Sequence, residues 1–126
     1  MSKYSTFKRA AVAVVAAAVA IPAAISTPAQ AAAEIKIGVI TTTSGPLASY
    51  GQAFVDSFNW GLKYYTSGKM SVNGAKLVVT VKDDAADPAS ATASFKDMVS
   101  NGTKIITGTA SSGVALTLGP LAQQNK

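Results

Sequence analysis

The chain is 126 residues long, which is enough for one small domain. It contains no cysteine and no histidine. These residues therefore hold no disulfide framework, no usual zinc site, no cysteine nucleophile and no serine–histidine pair. The 11 basic residues outnumber the 6 acidic ones, but they form no basic run with interleaved aromatic side chains. That distribution argues against nucleic-acid binding.

Residues 1–31 have the composition of a secretory signal peptide. Met1–Arg9 is basic and lacks acidic residues, Ala10–Ile21 is an uninterrupted apolar run, and Ala29–Ala31 supplies the small residues of a cleavage site. The alternative is an uncleaved membrane anchor. It is disfavoured because Pro22 cuts the run short of the roughly 20 apolar residues that span a bilayer. We therefore expect export to the periplasm.

Cleavage after Ala31 makes Ala32 the first mature residue, and a cut that leaves Glu34 first is the main alternative. Residues 32–126 keep eight lysines and six acidic residues, a net charge of +2 that is too small and scattered to indicate nucleic acid. Neither start places a cysteine at the new N-terminus. The exported chain is therefore not expected to be a lipoprotein.

The first half of the mature chain predicts a strand, a loop and a helix. Ile35–Ile40 is short and β-branched, which favours a strand, and the turn-rich segment 41–51 is expected to be a loop. From Gln52 the apolar residues take helical spacing until Ser67–Gly68 ends the helix. The predicted apolar stripe of this helix consists of Phe54, Phe58, Leu62 and Tyr65.

A second strand and helix follow. The turn signal at 72–74 precedes a strand at Leu77–Val81, and Asp83–Asp84 closes that strand. Asp87–Pro88 predicts a helix start, because an aspartate caps well and proline suits the first helical position. Asn101–Gly102 predicts the end of the helix. Its buried stripe should be Ala91, Phe95, Met98 and Val99.

The third unit completes a β-α-β-α-β-α order. Lys104–Thr107 predicts a strand, and Gly119–Pro120 should kink the following helix or end it early. The apolar stripe of that helix is Val114, Leu118, Leu121 and Ala122. Alternation of this kind predicts an α/β fold with a parallel sheet between two helix layers. The carboxyl ends of the strands should bring the loops at 41–51 and 108–113 together, at the edge where such sheets bind ligands.

The stretch Gly108–Gly113 carries two adjacent serines where the third strand hands over to a helix. It lacks the lysine and following hydroxyl of a phosphate loop and the flanking glycines of a nucleophile elbow. Two interpretations remain for Ser111 and Ser112. One is an ordinary helix cap; the other is a site where the hydroxyls and the helix N-terminus receive a small anion.

Two other features have structural and functional interpretations. Asp83–Asp84 could bind Mg²⁺, but two carboxylates without a third partner favour a turn and a cap. The aromatic residues Trp60 and Tyr64–Tyr65 on the first helix favour packing over a stacking platform. No metal site and no cofactor are predicted.

Three segments resemble the periplasmic substrate-binding proteins of branched-chain amino acid ABC transporters. Ser44–Gly51 is similar to their first loop, Asp83–Ala89 to a D-D-x-x-D-P-x segment after their second strand, and Ile106–Ser112 to their third strand and ligand loop. The likeness extends in order over residues 34–126. It implies a type I periplasmic-binding fold, in which two α/β domains close over a small ligand.

The resemblance also implies a function and a site. The protein would bind an amino acid or a related amide or carboxylate and deliver it to an ABC permease in the inner membrane, without catalysis. Ser112 or Ser111 would contact the ligand carboxylate, the backbone of Ala110 would lie in the same loop, and Tyr50 would line the side-chain pocket.

The length departs from this family, whose members are two or three times longer. We therefore expect residues 32–126 to be the first, incomplete part of the ligand-binding domain, with weak or absent ligand binding by itself. A ligand-sensing domain of the same fold is one alternative. An exported α/β enzyme is another, which the missing histidine and cysteine disfavour.

Overall fold

The computed structural model describes residues 33–125, and the predicted signal peptide falls outside them. Four strands and three longer helices alternate along the chain. They are β1 (Glu34–Thr41), α1 (Ala48–Tyr65), β2 (Ser71–Val72), β3 (Ala75–Asp83), α2 (Pro88–Ser100), β4 (Ile105–Gly108) and α3 (Ser112–Gln124). A 3-10 turn at Gly45–Leu47 leads into α1. Among these residues, no helix has both the length and the apolar character needed to cross a membrane.

The strands form one sheet in the order β2-β3-β1-β4. β1 pairs in parallel with β3 from Glu34 to Thr41 and with β4 from Ile37 to Ile40, which confirms the predicted parallel sheet. The short β2 pairs antiparallel with β3 through the turn at 73–74. The turn was predicted but the strand was not, because two residues are too few to show a period.

The strand order reverses at β1, and this reversal separates the helices. The chain moves from β1 to β3 in one direction and then crosses back over β1 to reach β4. Because parallel crossovers are right-handed, the two moves place α1 on one face of the sheet and α2 on the other. α3 packs against α2 and so shares its face.

The core lies on the α2–α3 face of the sheet. Its buried cluster consists of Ile40, Ala91, Phe95, Met98 and Val114, each less than 5% exposed. Alternation along β1 turns Ile37 and Val39 to the opposite face, where they are also buried. The sheet is therefore covered on both sides, as a parallel sheet requires.

Three predictions about helices need correction. α1 begins at Ala48 rather than Gln52, so Tyr50 lies in a helix and not in the predicted loop. The predicted stripe of α1 is only partly buried, and its last member, Tyr65, is 87% exposed. α3 continues through Pro120 to Gln124 and does not end early.

Candidate functional site

The carboxyl ends of β1 and β4 lie side by side at one edge of the sheet. Ile40 pairs with Gly108 at the last position of their shared ladder. From there the chain leaves β1 toward α1 on one face and leaves β4 toward α3 on the other. Such a reversal opens a crevice between the two loops, and α/β sheets bind ligands at this point. The expectation that the two hydroxyl-rich loops are neighbours is thereby met.

Gly108 allows the two loops to approach closely. Its backbone φ of +117° is one that L-amino acids rarely adopt. A Cβ atom at this position would overlap the carbonyl oxygen of Ile40 and lie 3.1 Å from its carbonyl carbon. The adjoining Thr109 is also left-handed, with φ of +72°. This conformation is a genuine outlier for a β-branched residue.

Asp84 connects the loops beneath the crevice. It is fully buried, and one carboxylate oxygen accepts hydrogen bonds from the Thr42 hydroxyl at 2.6 Å and from the Ala86 N–H at 2.8 Å. The other oxygen accepts from the Thr109 hydroxyl at 3.0 Å. One carboxylate therefore joins the segments that follow β1, β3 and β4.

This set of residues was not predicted from the sequence, although their positions just after the strands are a signal. Thr42, Asp84 and Thr109 each stand one residue after the end of an observed strand (β1, β3 and β4), and parallel strands end at one edge. Because β3 and β4 both pair in parallel with β1, these three side chains lie close together. The signal is an acidic residue after one strand, with a hydroxyl residue after each of two other strands.

Asp83 forms a turn on the exposed side of the same edge. It accepts hydrogen bonds from the N–H groups of Thr43 at 2.8 Å and Ala85 at 2.9 Å. The Ser44 hydroxyl and these N–H groups lower the pKa of Asp83 to about 2. Since Asp83 and Asp84 both accept from the N–H two residues ahead, the turn interpretation is confirmed. In the described residues no three acidic side chains gather as metal ligands would.

The N-terminus of α3 has no side-chain cap. Ser111 occupies the N-cap position with an extended backbone, but its hydroxyl forms no cap hydrogen bond. α2 differs, because the Asp87 side chain accepts from the Ser90 N–H. The first helical backbone bond of α3 runs from Ala115 to the Ser111 carbonyl. The N–H groups of Ser112 and Gly113, which are both exposed, are therefore free within the described part of the chain.

The four predicted site residues lie on the segments that follow β1 and β4. Tyr50 is the third residue of α1 and is 69% exposed. Ala110 lies between β4 and α3, Ser111 caps α3 by position, and Ser112 is its first residue and is exposed. The topology thus brings the loop of Ala110 and the serines beside the segment that leads from β1 to Tyr50.

An apolar cavity of 240 Å³ lies beside β4 and reaches Gly108 and Thr109. It is lined by Ile106 of β4, Phe95 of α2, and Leu118 and Ala122 of α3, among others. β4 has a neighbour only on its β1 side within the described residues. This cavity therefore follows the open edge of the sheet and includes the residues that begin the loop after β4.

The comparisons with known proteins agree with this fold. The family model of the periplasmic binding proteins matches residues 34–126. The Leu/Ile/Val-binding protein BraC3 of Rhizobium johnstonii is 30% identical over 100 residues, which are 74% of this chain and 25% of that protein. A Leu/Ile/Val-binding protein of Citrobacter freundii is 35% identical over 61% of this chain and 21% of its own.

Two solved structures from Rhodopseudomonas palustris extend the likeness. An ABC-type branched-chain amino acid transporter protein superposes with a TM-score of 0.71 at 35% identity, over 73% of this chain and 25% of its own. A solute binding protein of an ABC transporter, in complex with 3,4-dihydroxybenzoic acid, superposes with a TM-score of 0.65 at 30% identity, over 72% of this chain and 24% of its own. The chain therefore spans about a quarter of the length of these relatives. By sequence and by fold, it belongs to the periplasmic binding protein family.

Proposed function

We propose that this chain forms the N-terminal part of the substrate-binding component of an ABC importer, which captures a small amino-acid-like carboxylate. The observation that carries the proposal is the uncapped N-terminus of α3 at the crevice. The N–H groups of the exposed residues Ser112 and Gly113 are free, and the hydroxyls of Ser111 and Ser112 accept or donate no hydrogen bond in the described chain. A helix end with free donors and a positive partial charge suits a carboxylate.

The chemistry of the relatives' ligands supports a carboxylate as the recognised group. Two relatives are named as Leu/Ile/Val-binding proteins, and another is in complex with 3,4-dihydroxybenzoic acid. These molecules differ in size, shape and the presence of an amine, but each carries a carboxylate. In this proposal, Ser111, Ser112 and the Ala110 backbone receive that group, and Tyr50 borders the rest of the ligand.

The test is calorimetric titration of the natural protein with two matched pairs of probes, L-leucine with L-leucinamide and 3,4-dihydroxybenzoate with catechol. We expect at least one acid to bind and its partner without the carboxylate to bind about 100-fold more weakly or not at all, since hydrogen bonds to charged groups contribute about 1.5–3 kcal/mol each. Equal affinity within each pair would refute the carboxylate site.

Substitution of the serines tests the same site from the protein side. Ser111→Ala or Ser112→Ala should weaken binding of the favoured acid by about tenfold or more, from the loss of one charge-assisted hydrogen bond. Ser100→Ala is the matched control, because that exposed hydroxyl bonds only the Asp97 carbonyl in α2. If both site variants bind like the control, the serines are not ligand contacts.

The proposal includes the cell compartment and the partner. The basic, apolar and small-residue order of residues 1–31 supports a cleaved signal peptide and periplasmic location, and delivery to an inner-membrane ABC permease would follow. Intact-mass and N-terminal analysis of the natural protein from a periplasmic extract should find Ala32 first. A protein that retains Met1 in the cytoplasm would contradict this location.

A further inference from the structure

Asp84 is an unusual group to find in the interior of this fold. Its side chain is fully buried, and its partners are two hydroxyls and one backbone N–H. The ion pair of the described residues lies elsewhere, between exposed Lys82 and Asp97 at 3.5 Å. Burying a carboxylate without a cation costs several kcal/mol before its hydrogen bonds compensate. The three hydrogen bonds of Asp84 must compensate for this cost.

The contacts of Asp84 continue toward the serines. The Thr109 hydroxyl can donate one hydrogen bond, and it donates to the Asp84 carboxylate, the stronger of its two possible acceptors. A lone pair of the same oxygen then accepts the Ser111 N–H at 3.2 Å. The anion thus orders a hydroxyl, and the hydroxyl orders the backbone at the first turn of α3.

The strained backbone of Thr109 points the same way. A β-branched residue with φ of +72° persists only where its surroundings hold it in place. The bonds from Thr109 to Asp84 and from Ser111 to Thr109 are the hydrogen bonds that hold this side chain. The opposite oxygen of the carboxylate holds Thr42, the residue that follows β1.

We propose that Asp84 is a positioning residue of the ligand site, which fixes the N-terminus of α3 relative to the loop after β1 by way of Thr109 and Thr42. The inference rests on the proposed function and deepens it. Asp84 is too deeply buried to touch a ligand. It acts by presenting the free donors of α3 in one arrangement, so that binding needs no further ordering of the loop.

The experiment compares variants of Thr109 and Asp84 in the natural protein. Thr109→Val removes the hydroxyl and keeps the shape, Thr109→Ser keeps the hydroxyl, and Asp84→Asn removes the charge. Asp83→Asn is the matched control, because Asp83 forms the same kind of turn but does not reach Thr109. Each variant is measured for hydrogen exchange of the Ser111 amide by NMR, for L-leucine affinity and for melting temperature.

We expect Thr109→Val and Asp84→Asn to speed exchange of the Ser111 amide and weaken L-leucine binding by about tenfold, the value of one net hydrogen bond. Thr109→Ser and Asp83→Asn should resemble the unsubstituted protein in both respects. If Thr109→Val lowers the melting temperature but leaves exchange and affinity unchanged, Asp84 is only a structural residue and the proposal is wrong.

Failure of the proposed function and failure of the positioning role of Asp84 give different results. Failure of the unsubstituted protein to bind L-leucine would count against that ligand in the proposed function. The exchange rate of Ser111 in the Thr109→Val and Thr109→Ser pair needs no ligand, so it still upholds or overturns the connection between Asp84 and α3. Asp84→Asn is not essential to the result, because the Thr109 pair tests the same connection if that variant fails to fold.

Discussion

Replacing Gly108 with alanine should lower the free energy of unfolding by about 3–4 kcal/mol. About 1–2 kcal/mol comes from holding an L-residue at φ of +117°. The rest comes from overlap with the carbonyl of Ile40, because the backbone there must shift and disturb the last rungs of the β1–β4 ladder, at about 1 kcal/mol for each hydrogen bond. Ile40 is fully buried in the core, so it has little freedom to move.

Urea unfolding followed by far-UV circular dichroism measures this loss, with Gly102→Ala as the matched control. Gly102 also has a positive φ, of +82°, but an added Cβ there would meet no atom within 4 Å. The control should therefore show the conformational cost alone, about 1–2 kcal/mol. If the two variants lose equal stability, the close approach of the two strand ends does not constrain position 108 and this reasoning fails.

Three further predictions concern the turn and the core. Ala85→Gly should raise the urea midpoint by the equivalent of about 0.5–1 kcal/mol, since Ala85 has φ of +49°; a lower midpoint would contradict this. The pKa of Asp83, lowered from 3.8 to about 2, adds stability above pH 3.8 that is lost as pH falls toward 2. Asp83→Asn should therefore reduce the change of melting temperature with pH between pH 3.8 and 2, and an unchanged slope would contradict this. Ile40→Val should cost about 1 kcal/mol in urea unfolding, whereas Ile105→Val, at a half-exposed position, should stay within about 0.5.

Local signals account for the elements that were predicted well. α2 begins at Pro88 after an Asp87 cap and ends at Ser100 before Asn101–Gly102, as the sequence indicated. Each of these ends is determined by hydrogen bonding and backbone freedom within a few residues. The parallel sheet was predictable for a similar reason, because the alternation of strand and helix patterns leaves few other arrangements.

Elements without such signals were placed less well. The N-cap position of α1 is Leu47, which offers no side-chain cap, and a 3-10 turn precedes it. The apolar period of α1 starts four residues after its backbone does, so the period alone gave the wrong start. Tyr65 continues the period of the stripe yet is exposed, because burial depends on a neighbouring surface and not on spacing.

The site shows the same division between local and long-range information. The alternation of elements predicted that the segments at 41–51 and 108–113 would be neighbours. That Ser111 leaves the end of α3 uncapped could not be predicted, since its sequence suits a cap equally well. The Ser111 N–H donates to the Thr109 hydroxyl, and that hydroxyl donates to Asp84, which is 27 residues from Ser111 along the chain.

The reversal of strand order at β1 also separates the residues that form the core from the exposed residues that border the crevice. The core cluster draws on residues inside β1, α2 and α3, whereas the crevice is bordered by the loops that leave β1 and β4 in opposite directions. A substitution of an exposed residue at this edge, such as Tyr50 or Ser112, therefore leaves the core cluster intact. Selectivity can diverge at little cost to folding, and relatives of one ancestry can come to take ligands as different as an aliphatic amino acid and a dihydroxybenzoate.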